Sequence, residues 1–143
     1  MSMHTLWKKI LVPTDFSEDS LTALREACRF HQLCQTEVVL LHVKEPAFEG
    51  LRIHSGDLHE KRHAAARHQL DALATAYFGS AESVTVLVKD GGAAEVICET
   101  ALELQADAIF IATHGITALK HLTLGSVVEK VVRAAPCSVL VVR

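Results

Sequence analysis

The sequence predicts one α/β domain, residues 1–143, built on a five-stranded parallel sheet with helices on both faces. Three observations predict it. Apolar segments of strand length alternate with helical segments along the chain, in the order β-α-β-α-β-α-β-α-β. The strand segments are continuous apolar runs, the pattern of strands buried on both faces. No linker, low-complexity stretch or internal repeat divides the chain.

Lys8 and Lys9 introduce the first run, Ile10-Leu11-Val12, which Pro13 stops. Ser17 is placed to cap a helix whose apolar positions Leu21, Leu24, Ala27, Cys28 and Phe30 share one face. Val38 to Val43 is the second strand, followed by a Gly- and Pro-containing loop from Lys44 to about Gly56. Asp57 to Phe78, rich in Ala, Leu, His and Arg, is a long helix. Val84 to Val88 is the third strand. Gly91-Gly92 breaks the chain before a helix over Ala93–Leu104. Ala108 to Ala112 is the fourth strand, and Thr113 to Leu124 an irregular or loosely helical connection. Ser126 to Ala134 is the last helix and Ser138 to Val142 the last strand.

Composition narrows the partners. Half of the residues are apolar and 22% are charged, which is globular usage. A formal charge of −3 without a basic run argues against nucleic acid. No apolar run approaches a membrane span, and Met1 to Lys9 has no signal-type apolar core. Cys28, Cys34, Cys98 and Cys137 form no CxxC pair. Three lie among apolar neighbours, which predicts buried, reduced thiols and a cytoplasmic setting.

Right-handed crossovers restrict the strand order, and 3-2-1-4-5 makes the sheet doubly wound and Rossmann-like. The ligand crevice of such a sheet lies at the strands' carboxyl ends, where the winding reverses. Here that point falls between the first and fourth strands. The bordering loops are Pro13-Thr14-Asp15-Phe16-Ser17 and Ala112-Thr113-His114-Gly115. The helix opening at Gly125-Ser126 reaches the same edge. Its first N–H groups and partial positive charge suit phosphate, and no acid appears before Glu129. The first helix has Glu18 and Asp19 at its start, so its dipole is expected to be occupied. Phosphates are therefore expected at Gly125-Ser126, and the sugar or base at Asp15. Taken singly, these residues also fit a turn glycine, an N-cap and a capping acid. Neither the P-loop nor the GxGxxG pattern is present.

The stretch Ala112-Thr113-His114-Gly115, nine residues, then Gly125-Ser126-Val127 resembles the nucleotide loop of universal stress proteins. ATP-binding members of that family carry G-x-x-G-x9-G-(S/T), and Ala112 stands where the signature has its first glycine. The likeness continues through Val128 to Val142 and includes Ile10 to Ser17 and Leu40-Leu41-His42-Val43. The resemblance implies an ATP site, with AMP or ADP as variants. Pro13, Thr14 and Asp15 would lie by ribose and base, and Val43 would meet adenine through its backbone. Ala112, His114 and Gly115 would line the ribose and phosphate path. Gly125, Ser126, Val127 and Val128 would hold the phosphates, with magnesium on phosphate oxygens. It also implies a homodimer through the apolar edge strand Ser138–Val142.

His59-Glu60-Lys61-Arg62-His63 matches HExxH. The reading is set aside because Lys61 and Arg62 crowd a cation site and the segment looks like a solvated face. His68 lies roughly 140° around the helix from His63. His42 reads as a core or rim residue and His114 as functional. A hydrolase using Ser126, His114 and Asp15 ranks lower, because GxSxG is absent. The expected function is a nucleotide-binding stress or signalling module, not an enzyme beyond slow ATP hydrolysis. The alternative is a nucleotide-free homodimeric interaction protein.

Overall fold

The computed structural model describes residues 6–46, 56–114 and 124–143. The elements are β1 (Lys9–Pro13), α1 (Leu21–Cys34), β2 (Glu37–Lys44), α2 (Gly56–Phe78), β3 (Thr85–Asp90), α3 (Ala93–Glu103), β4 (Ala108–Ala112), α4 (Ser126–Ala134) and β5 (Ser138–Val142). All pairings are parallel and the order is β3-β2-β1-β4-β5. The predicted topology is therefore the observed one.

Apolar runs without alternation still alternate in space, because successive strand side chains point to opposite faces. Ile10, Val12, Val38, Leu40 and Phe110 join Leu24 and Ala27 of α1 and Leu70 and Ala74 of α2 on one face. Leu11, Val39, Leu41, Ile109 and Ile111 join Ile97 and Ala101 of α3 and Val128 and Val131 of α4 on the other. Two cores sharing one sheet explain why each strand needs apolar residues at consecutive positions.

β1 pairs with β2 along its whole length, from Lys9–Glu37 to Pro13–Leu41. Its pairing with β4 runs only through Ile10–Ala108 and Leu11–Ile109. Pro13 explains the difference. The Lys9 carbonyl accepts from Asp107 N–H on the β4 side, and the Lys8 carbonyl from Glu37 N–H on the β2 side. Odd-numbered backbone groups of β1 thus face β4. The rung after Leu11–Ile109 would run from the nitrogen of Pro13 to the carbonyl of Phe110, and proline has no hydrogen to give. The sheet opens there.

Several boundaries differ from expectation. β2 and β3 are longer, because each carries polar residues at its carboxyl end: Lys44 pairs with Asp90. α1 begins at Leu21 with Ser20 as N-cap, and no acid lies in its first turn. Ser17 instead accepts the Ser20 N–H at 3.2 Å within a turn that precedes the helix. Glu18 and Asp19 belong to that turn, so they do not occupy the α1 dipole as expected. All four cysteines are half-buried rather than buried. Cys98 and Cys137 pack as partly buried residues against the core shared by α3 and α4. Cys28 Sγ lies 2.9 Å from the Tyr77 carbonyl, which accepts its hydrogen. The connection 115–123 and most of the 44–56 loop lie outside the described residues.

Candidate functional site

A cavity of about 1040 Å³ opens at the carboxyl ends of the strands, where β1 and β4 part. Pro13, Thr14, Asp15, Val43, Ala112, His114, Gly125, Ser126, Val127 and Val128 all line it. Gly115 lies outside the described residues.

The β1 loop is braced from inside. Thr14 N–H donates to the Leu41 carbonyl at 2.9 Å, which carries the β1–β2 ladder one residue past the strand. Thr14 Oγ1 accepts the Phe16 N–H at 3.0 Å and pairs with Ser20 Oγ at 2.8 Å. Asp15 Oδ1 accepts from both the N–H and the hydroxyl of Ser17. Asp15 is thus held at the mouth by its own turn. Phe16 takes a φ of 66°, a left-handed conformation that bulky residues rarely adopt. It places the aromatic ring 4.4 Å from that of His42, tilted by 31°.

On the opposite side α4 starts directly at the cavity. Gly125 N–H donates to the Thr113 carbonyl at 2.9 Å, tying the helix start to the end of β4. The first helical bond is Glu129 N–H to the Gly125 carbonyl, and among the described residues no side chain caps the preceding N–H groups. Glu129 is the first-turn acid, but its carboxylate is bridged by Arg133 at 2.8 Å. Gly125 sits at φ −58° and ψ 153°, which any residue can adopt. What glycine contributes there is the missing side chain, not an unusual backbone. His114 Nδ1 lies 3.0 Å from Thr113 Oγ1.

A third wall comes from α2. Leu58, His59, Arg62, Ala65, Ala66 and Gln69 face the cavity at helical spacing. His59, Glu60, Lys61 and Arg62 are exposed, as the solvated-face reading expects, and His59 and Arg62 also border the cavity. His59 Nε2 lies 3.5 Å from Asp90 Oδ2, and Lys44 Nζ lies 3.1 Å from Asp90 Oδ1. Asp90 is held in place by the turn that follows it. Gly91 N–H donates to the Lys44 carbonyl at 3.1 Å, and its φ of 138° suits glycine alone. The rings of His59 and His63 stand 6.5 Å apart. Among the described residues no three His, Cys, Asp or Glu side chains gather to hold a metal ion.

The α2 wall is the largest group of lining residues that sequence reasoning missed, with Lys44, Asp90 and Ile97 beside it. A signal for α2 existed. A crossover helix runs antiparallel to its strands, so α2 must begin at the sheet edge where β2 ends. Its first turns therefore border any crevice there, and a small-residue stripe at Ala65-Ala66 marks the face.

The universal stress protein family model matches residues 6–143. The chain belongs to the universal stress protein family. Universal stress protein MJ0577 of Methanocaldococcus jannaschii is 33% identical, over 99% of this chain and 98% of that protein. A Thermus aquaticus universal stress protein is 32% identical, over 96% of this chain and 100% of its own length. Among solved structures, that of MJ0577 superposes with a TM-score of 0.83, covering 96% of each chain at 32% identity. A universal stress protein of Lactobacillus plantarum superposes with a TM-score of 0.75, covering 95% of this chain and 97% of that one at 26% identity. No helix among the described residues is long and apolar enough to cross a membrane.

Proposed function

We propose that the cavity binds an adenine nucleotide, ATP foremost, and that the protein works as a nucleotide-responsive stress or signalling module. One observation carries the reading. The open end of the β1–β4 ladder, the uncapped start of α4 and the braced Asp15 loop all face one cavity. A phosphate chain suits the α4 start, whose free N–H groups and dipole favour anions. Asp15 suits ribose hydroxyls, because a carboxylate accepts what they donate.

Val43 suits the base. Leu41 turns its carbonyl toward β1, where Thr14 N–H meets it. Strand alternation points the N–H and carbonyl of Val43 the same way, beyond the last β1 partner. One donor beside one acceptor complements the edge of adenine. A divalent cation would arrive on the phosphate oxygens, and it would neutralise charge there. No residue is assigned as a general base, so hydrolysis is expected to be slow.

Equilibrium dialysis against ATP and magnesium tests the reading. Saturable binding below millimolar nucleotide supports it. No binding at millimolar ATP would replace it with the nucleotide-free interaction module. Turnover well above about one per second would instead make the protein an enzyme.

A further inference from the structure

We infer that His42 selects the base in this cavity, accepting a hydrogen bond at Nε2 from the amino group of a 6-aminopurine and disfavouring a 6-oxopurine. The inference rests on the nucleotide reading above and adds the residue that tells one purine from another.

His42 Nδ1 lies 2.9 Å from the Thr14 carbonyl oxygen. A carbonyl only accepts, so Nδ1 carries the hydrogen. In a neutral imidazole the other nitrogen then presents a lone pair. The tautomer is set by the end of β1, not by the ligand. Nε2 has no hydrogen-bond partner among the described residues. It is not sealed either: Thr100 Oγ1 is the one buried, unpartnered side-chain N or O atom among them. His42 is half-buried and lines the cavity, so Nε2 opens toward that space.

The ring is also fixed in orientation. Phe16 covers it at 4.4 Å, and the loop keeps Phe16 in its left-handed conformation through Thr14, Ser17 and Ser20. Strained backbone that persists in a braced loop points to a role for the side chain it positions. The result is an acceptor of fixed tautomer and fixed plane, next in sequence to Val43.

An exocyclic amino group has two hydrogens. One suits the Val43 carbonyl and the other suits Nε2. A 6-oxo group would set a lone pair against the Nε2 lone pair and leave both acceptors unmatched. Sites that match a ligand's donor reject analogues lacking it, because their own polar groups are left unpaired.

The test is calorimetric titration with ATP and with inosine triphosphate, at a pH of about 8 where an ordinary histidine is neutral. Wild type should prefer ATP. His42→Phe should lose about tenfold in that preference, one hydrogen bond's worth, mostly through weaker ATP binding. His42→Gln, whose amide can donate to Thr14 and still offer an oxygen, should regain part of it. His42→Leu provides the same ratio should the aromatic variant not show the wild-type circular-dichroism spectrum. A merely structural role would weaken both nucleotides alike. An unchanged ATP-to-inosine ratio in a variant that still binds ATP overturns this inference and leaves the nucleotide site standing. Wild-type protein that binds neither nucleotide overturns both.

Discussion

Gly125 and Asp15 occupy opposite walls of the cavity, and their substitutions should fail differently. Gly125 has an ordinary backbone conformation, so Gly125→Val should fold with a near-unchanged melting temperature. Its side chain would stand where phosphate approaches, and ATP binding should be lost in dialysis. Retained affinity would move the phosphates elsewhere. Asp15 both faces the cavity and holds the Ser17 turn. Asp15→Ala should weaken ATP by about 1.5–3 kcal/mol, the range for a hydrogen bond to a charged group. It should also speed amide exchange at Ser17, which a pure ligand contact would not. The thiols give a pH prediction. Burial pushes Cys28, Cys98 and Cys137 above the usual thiol range, and nearby Glu95 and Glu99 add to it at Cys98. A raised value keeps the proton on at neutral pH. Iodoacetamide should therefore label these three slowly at pH 7, with rates climbing only above the pH where free thiols ionise.

At the scale of elements, Pro13 decides where the sheet opens. It stands at the last position of β1 with its nitrogen toward β4, where the next rung would need a hydrogen. Pro13→Ala supplies one. The new amide at position 13 should be slow to exchange, and the β1–β4 pairing should advance toward the cavity. Nucleotide affinity should fall as the crevice narrows. Fast exchange at that amide would show that the strands diverge for another reason. α1 illustrates how local signals mislead. Ser17 looks like a cap because a serine precedes an apolar-periodic stretch. The cavity-side turn claims its hydroxyl for Asp15, and the helix waits until Leu21. Which of two serines stands at the N-cap position depended on a contact outside the helix.

For the whole molecule, β5 is an edge strand, half-buried along Val139–Val142. The Val142 carbonyl accepts from Thr113 N–H, so even-numbered backbone groups face β4 and odd-numbered ones face outward. An open apolar edge favours pairing with a second copy. Val141→Pro removes an outward donor and spares the ladder. Sedimentation should give a dimer for wild type and a monomer for this variant, with unchanged circular dichroism. A wild-type monomer at micromolar concentration would exclude the edge as a dimer contact.

The fold was legible because apolar runs of strand length, alternating with helical stretches, allow few arrangements that bury every run. β4, α4 and β5 carry their expected bounds, since their signals are local. The crevice was legible too, because strand order alone places it. The α2 wall, the Phe16–His42 stack and the Lys44–Asp90–His59 cluster were not. Each joins residues from different elements, and their chemistry depends on distances that spacing along a chain does not contain. By itself, the sequence determined which residues are apolar enough to build two cores on one sheet, and therefore which edge is open. Only the tertiary structure decided what faces that edge, because a helix of mixed polarity such as α2 can turn several faces inward, and packing against β2 and β3 selects one.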